Sequence, residues 1–263
     1  MPKLTGSILF TGSMDNFSAY TMHGYDGIIL RKKGGASKEK IKTSRNFYLT
    51  RKHNAEFGAS SQAGKSIRKA LHILTQLANF NISGKLNALA RNILKRDTVS
   101  ELGERSIRFS QHHGLLNGFS VNNKLLFSSV VRQHIVCHIS RQEGKASLVI
   151  PALEPGINFY TPPGMHMYRF IFSLGTIADL EYTINGYEPV AAQYATACYL
   201  TEWHAVTEMV AAQNISLALE NFTGLQDNNC LVLAAGIEFG FPLHADTVQR
   251  VKYTGTATII ATA

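Results

Sequence analysis

From Phe119 to the C-terminal alanine the chain is a succession of short β-prone segments: FSVNNKLLF, HIVCHIS, ASLVIPAL, MYRFIFSL, ADLEYTI, AQYATACYL, AQNISLAL, NCLVLAAGIEFG, TVQRVKY and TATIIATA. Turn signals punctuate them, among them Asn117-Gly118, Pro162-Pro163-Gly164 and Asn185-Gly186, where Gly and Asn tolerate positive φ and Pro cannot extend a ladder. Short strands at near-regular spacing, with no long helical pattern between them, predict an antiparallel β-sandwich.

The chain before this point has a different grammar. Residues 5–33 read as β, in the runs TGSILFTGS, FSAYTMH and GIILRKK, the last two joined across Gly24-Tyr25-Asp26-Gly27 as a hairpin within a small meander. Gly34-Gly35 ends it, and Ser37 is placed to cap a short SKEKI helical turn with Glu39 behind it. A helix is expected from about Ser44 to Phe80, because Ala55, Ala59, Ala63, Ile67, Leu71, Leu74 and Ala78 recur at three- or four-residue spacing. The alanine half of that stripe, with Gly58, Ser61 and Gly64 beside it, suits close approach by another backbone. Each glycine costs about 1 kcal/mol of helix propensity, which makes a kink or break near them an expectation. A second helix is expected over residues 83–96, where Leu86, Leu89, Ala90, Ile93 and Leu94 mark one face. The fold class that follows is α+β: an N-terminal β-hairpin or meander plus two helices, then the antiparallel β-sandwich. The corresponding domains are a basic hairpin-and-helix region at 1–114 and a β-sandwich domain at 115–263.

Charge is distributed as unevenly as structure. Arg31 to Lys69 holds twelve Lys and Arg against two acids, Glu39 and Glu56. Residues 1–112 carry nineteen Lys and Arg against seven Asp and Glu, whereas residues 113–263 carry seven against eleven. Such polarity points to an anionic partner, or to a basic front docking on the acidic back of another copy. The candidate contact residues are Arg31, Lys32, Lys33, Lys38, Lys40, Lys42, Arg45, Arg51 and Lys52, with Phe47 and Tyr48 interleaved. No helix-turn-helix, RNP or zinc-finger pattern accompanies them.

Several function classes lack their residues. GASSQAGKS at 58–66 imitates a phosphate-binding loop, but the glycine is one residue out of register and a polar helical stretch precedes it where a buried strand is required. His134 and His138 flank Cys137 at a spacing zinc uses, yet no further ligands stand at a recognisable distance; a strand with Ile135, Cys137 and Ile139 inward accounts for the run. There is no Gly-x-Ser-x-Gly elbow and no paired carboxylate motif. Asp179, Glu181, Glu202, Glu208, Glu220 and Glu238 are expected to face solvent from predicted strands. No catalytic residue, cofactor or metal is therefore assigned, and the chain is read as a non-enzyme. Cys137, Cys198 and Cys230 stand singly, which suits small buried residues of a reducing compartment. With no N-terminal apolar signal and no run long enough to span a bilayer, a cytoplasmic location follows, a released or surface particle being the other option.

The segments ILRKKGGASKEKIKTSRNFYLTRKHNAEFG, GSILFTGS, AAGIEFGFP and VKYTGTATIIA resemble a bacterial protein family of unknown function that shares an Arg-Lys-Lys-Gly-Gly-x-Ser-Lys-Glu segment, an Asn-Ala-Glu-Phe-Gly segment and a closing Gly-Ile-Glu-Phe-Gly strand. A hairpin, basic linker and helix ahead of a β-sandwich is also similar in architecture to structural components of phage-derived particles. The leading expectation is a self-associating structural protein, the subunit of a ring, tube or filament. The uncharged last strand, TGTATIIATA, lacks edge-protecting Lys or Pro and so needs cover, from its own sandwich or from another chain. Weak nucleic-acid binding through residues 31–69 is the alternative, and a carbohydrate-binding sandwich using Trp203, Tyr199 and Tyr194 the third.

Overall fold

The computed structural model describes residues 3–6, 9–22, 24–220, 222, 224–244 and 247–263. Ser7 and Ile8 of the first expected strand and His23 of the second lie outside the described residues. The chain divides into two compact units, Met1–Arg51 and Lys52–Ala263.

In the first unit, β1 (Lys3–Leu4), β2 (Gly12–Met14), β3 (Phe17–Tyr20) and β4 (Ile28–Lys32) pair antiparallel in the order β1-β4-β3-β2. Asp15 carries the β2–β3 turn at φ 44°, a left-handed conformation that a short polar side chain tolerates. Helix α1 (Lys38–Thr43) begins as its sequence demands, with the Lys40 amide donating to Ser37 Oγ at 3.2 Å. Among the described residues of this unit, Ala19 and Ile29 alone are buried.

Helix α2 (Tyr48–Ala70) contains the boundary between the units, and its remainder belongs to the second. The single helix expected over 44–80 is thus three pieces, because a 3-10 turn at Arg45–Phe47 precedes α2 and another follows it at His72–Leu77. Neither Gly58 nor Gly64 breaks α2. The reason at Gly64 is packing: a Cβ there would lie 2.2 Å from Asn87 Oδ1 and 3.2 Å from the Asn87 amide nitrogen, so α3 (Ser83–Leu94) occupies the space that the small-residue stripe leaves open.

The second unit has three layers, and its centre is a pair of long antiparallel strands. β5 (Val136–Ser140), β6 (Lys145–Ile150), β7 (Met167–Ala178), β8 (Leu180–Thr183), β9 (Gly186–Pro189), β10 (Thr196–Leu200), β11 (His204–Ala205), β12 (Gln213–Ala218), β13 (Asn229–His244), β14 (Thr247–Arg250) and β15 (Thr256–Thr262) follow short helices α4 (Phe109–His112) and α5 (Phe127–Val130). β7 pairs with β13 from Met167–Gly240 to Ala178–Asn229. β10 and β11 flank β7, while β14 and β15 flank β13, making one six-stranded sheet. β8 and β9 form a separate hairpin, and β12, β6 and β5 a separate three-stranded sheet.

Alternation along β7 and β13 assigns their side chains to two cores. Ile171, Ile177, Cys230, Val232 and Ala234 join Ile67, Leu71, Leu74, Leu86, Ile93 and Leu94 on the helical side. Phe170, Phe172, Leu174, Leu231, Leu233 and Phe239 join Leu148, Ile150, Ile215 and Leu217 beneath the three-stranded sheet. The two faces differ in texture. The helical face is cut away by Ser173, Gly175 and Gly236; a Cβ at Gly175 would lie 2.7 Å from Ala70 Cβ and 2.8 Å from its Cα, and Ser173 Oγ donates to the Ala70 carbonyl at 2.8 Å. The opposite face carries bulk, with Phe170 and Phe172 rings stacked at 6.0 Å. The sandwich expected from the strand pattern is present, and the helices that were grouped with the basic front half supply its third layer.

Of the expected TGSILFTGS run only Gly12 and Ser13 enter a strand, β2, among the described residues, and in the second unit one expected strand is not formed. In FSVNNKLLF, Gly118 and Val121 donate to the Ile259 and Ala257 carbonyls of β15 at 2.9 and 3.0 Å, but Asn122 then turns the chain by accepting from the Lys124 and Leu125 amides at 2.8 and 3.1 Å, and α5 follows. An Asx turn competes with the ladder as soon as the side-chain carbonyl can reach back to its own backbone. The same contacts cover the outer edge of β15, so the closing strand is shielded within its own unit.

Candidate functional site

The nine basic candidates divide into those whose side chains hold the fold and those that do not. The Arg51 guanidinium donates to the carbonyls of Ile41 and Ser44 at 2.8 Å each, satisfying groups left open at the end of α1. Lys33 Nζ donates to the Asp15 carbonyl at 2.9 Å and so ties the end of β4 to the β2–β3 turn. Lys52, in the second unit, pairs with Glu104. Arg31, Lys32, Lys38, Lys40, Lys42 and Arg45 are exposed and make no ion pair among the described residues. Lys38, Lys40 and Lys42 belong to α1, in which Glu39 is the one acid. The first unit carries nine Lys and Arg against three acids, the second seventeen against fifteen, so the excess charge of the chain is concentrated in its first fifth.

Exposed apolar side chains accompany that charge. Leu9, Met14, Phe17, Met22, Tyr25 and Leu49 are all exposed, Leu9 and Met14 at 60% each. Single exposed hydrophobics are ordinary; a set of them on a unit whose described residues bury only Ala19 and Ile29 is not.

The other sequence candidates resolve as structure. Residues 58–66 are the middle of α2, with Ala59, Ser60, Ala63 and Gly64 buried against its neighbours. His134 and His138 are exposed while Ile135 is buried and Cys137 half-buried, and among the described residues no group of three His, Cys, Asp or Glu is placed to hold a metal. The aromatic candidates meet cations: Arg169 lies over Trp203 at 4.7 Å and Lys69 over Tyr194 at 5.0 Å. Tyr199 stands on the outer strand β10.

The acids correct the sequence reading most sharply. Glu202, Glu208 and Glu220 are exposed as expected, but Asp179 and Glu238 are each 2% exposed. Glu238 lies in the stretch of β13 that is buried on both faces, where it binds Arg169 with Arg250 3.5 Å away. Asp179 accepts from the Ser110 amide at 2.8 Å and the Ser110 hydroxyl at 2.5 Å; burial nevertheless pushes its carboxyl above the ordinary value. Glu56, counted as part of the basic helix, is also buried. Arg105 binds both its oxygens at 2.7 Å and the Gly103 amide adds a third bond at 2.9 Å. Burial raises the Glu56 carboxyl, and these donors together outweigh it and hold it below its usual range. Each of these carboxylates is committed to fixed donors, which is the arrangement of a structural acid.

No family model matches the chain, and no curated protein or solved structure matches it.

Proposed function

We propose that the protein is a non-enzymatic structural subunit that self-associates through its basic N-terminal unit. The observation that carries this reading is that, among the described residues of that unit, Ala19 and Ile29 are buried while seven large apolar side chains are exposed in the same stretch as unpaired lysines and arginines. A unit of this size with so small a core draws stability from a partner surface. A second copy offers a chemically suitable one, because Glu143, Glu188, Glu202, Glu208, Glu220 and Asp227 are all exposed on the second unit. Head-to-tail contacts of that kind generate rings, tubes or filaments.

The test is light scattering on the full chain and on the double variant Arg31→Glu, Lys32→Glu, which leaves the Lys33 bond to the Asp15 carbonyl intact. The parent forms a particle larger than a monomer and the variant a smaller one, while the main thermal transition stays in place, since interface charges set association more than subunit stability. A parent that is monomeric at high micromolar concentration removes the proposal.

A second reading rests on the six unpaired exposed cations: a non-specific anionic polymer, nucleic acid in particular, lies along residues 31–45. Its signature is affinity for duplex DNA that drops about a thousandfold between 50 and 200 mM salt if some six phosphates are neutralised. Tight binding that persists at physiological salt would move this reading into first place.

A further inference from the structure

A second cationic feature lies in the Lys52–Ala263 unit, outside the N-terminal cluster. A cavity of about 190 Å3 is lined by Ile93, Arg96, Asp97, Thr98, Val99, Ser106, Arg108, Gln111 and His112. Its two arginines come from different segments. Arg96 follows the last turn of α3, and Arg108 follows the residue whose backbone bridges Leu180. A basic residue after a helix C-terminus is explained by the helix dipole, but that explanation does not reach Arg108. Both guanidinium groups are exposed, and neither makes an ion pair or hydrogen bond among the described residues.

The acid in the cavity is bound by backbone amides rather than by the arginines, and the two guanidinium charges exceed its one. Asp97 Oδ1 accepts from the Val99 and Ser100 amides at 3.1 and 3.0 Å, and Oδ2 from the Ser106 amide at 2.8 Å. Its role is to close the loop between α3 and the segment that carries Arg108. The sequence from Ser83 to Arg96 contains no acid, and Arg91 and Lys95 add to the positive field from α3.

We propose that this cavity binds a small phosphate, either inorganic phosphate or the terminal phosphoryl group of a small molecule, between Arg96 and Arg108, with Thr98, Gln111 and His112 as neighbouring polar groups. Two guanidinium groups carried by separate segments can each offer paired N–H bonds to a tetrahedral oxyanion, which accepts on more than one edge.

The experiment is calorimetric titration of the full chain with inorganic phosphate at fixed ionic strength, with chloride as the control anion. One site per chain is expected, weakened at least about tenfold in Arg96→Ala and in Arg108→Ala, the loss of one charge-assisted pair. The triple variant Lys38→Ala, Lys40→Ala, Lys42→Ala binds as the parent does, so failure of this proposal is separable from failure of the N-terminal contact. Melting curves establish that the arginine variants remain folded, as substitution at exposed positions predicts. Absence of saturable heat overturns the proposal, as does binding that survives both arginine changes. Displacement of phosphate by a short single-stranded oligonucleotide of higher affinity, dependent on Arg96 and Arg108, overturns the small-ligand assignment in favour of a polymer phosphate.

Discussion

The two units solve the problem of stability in opposite ways. Lys52–Ala263 encloses two extensive clusters of buried side chains, one on each face of the β7–β13 pair, and shields the outer edge of its last strand with its own residues 118–121. Among its described residues, Met1–Arg51 buries Ala19 and Ile29 and leaves Leu9, Met14, Phe17, Met22, Tyr25 and Leu49 in water. Local signals are good in both: Ser37 caps α1 and Asp15 makes its turn as well as any feature of the larger unit. What separates them is the apolar area removed from water, about 25 cal/mol per Å2, against an ordering cost that every residue incurs alike. Local correctness specifies a shape; burial decides whether that shape persists unaided.

The largest expected effect breaks the stronger partner. Phe172→Ala, at a fully buried position, lowers unfolding free energy by about 4 kcal/mol, read as the shift of the urea midpoint. Ile29→Ala leaves that transition where it is and instead accelerates amide exchange in residues 12–32. Equal shifts from both substitutions would falsify the division into independently stabilised units. Arg105→Ala follows, at about 3 kcal/mol, because it strands the buried Glu56 carboxylate.

A smaller effect concerns acid. Glu56 titrates below its ordinary 4.5 in the folded chain, so its contribution to stability is present above that value and is lost as pH falls through the folded one. Asp97, held low by the amides of Ser100, Ser106 and Val99 against the pull of burial, acts in the same direction. Asp179, raised above 3.8, acts in the opposite sense: its contribution is present below that value and lost as pH rises through the folded one. Urea melts between pH 5 and pH 3 therefore show stability falling with pH, and Glu56→Gln flattens part of that slope. A slope unchanged in the variant assigns the acid sensitivity elsewhere.

The smallest effect is chemical. All three cysteines lie in the larger unit. Exposed Cys198 reacts with a thiol reagent in the native protein, whereas burial places Cys230 out of reach with its thiol pushed up to about 12. Labelling of Cys230 then follows opening of the larger unit alone, and its rate is unchanged in Ile29→Ala.

Much of the fold was legible. The apolar stripe from Leu86 to Leu94 gave α3, and alternation gave nine of the ten expected strands, including β6 with Ala146, Leu148 and Ile150 inward. The helix boundaries and the FSVNNKLLF segment escaped because each turns on one local choice: the 3-10 continuation after Leu71, and an Asn122 side chain that reaches back to its own backbone. The layer assignment escaped because it is a non-local property of β7 and β13. A signal was present even so. NCLVLAAGIEFG is apolar at both parities, the mark of a strand buried on both faces, and Glu238 within it should have been expected to need a buried cation. Of the basic cluster, charge density located every member but could not separate Lys33, Arg51 and Lys52, which hold the structure, from the six that project freely.

The two-sided burial of the β7–β13 pair also sets a schedule for the nascent chain. Helices α2 and α3 leave the ribosome with Ile67, Leu74, Leu86 and Ile93 already aligned, yet the surface they cover includes Val232 and Ala234, which are synthesised after every element from α2 to β12. The outer sheet waits for the same strand, since Leu148 and Ile215 close on Leu231 and Leu233. Until β13 arrives neither layer has a floor, and pairing at such sequence separation is slow. For most of its synthesis the larger unit therefore presents two half-built apolar surfaces, the interval in which a chaperone has the most to hold.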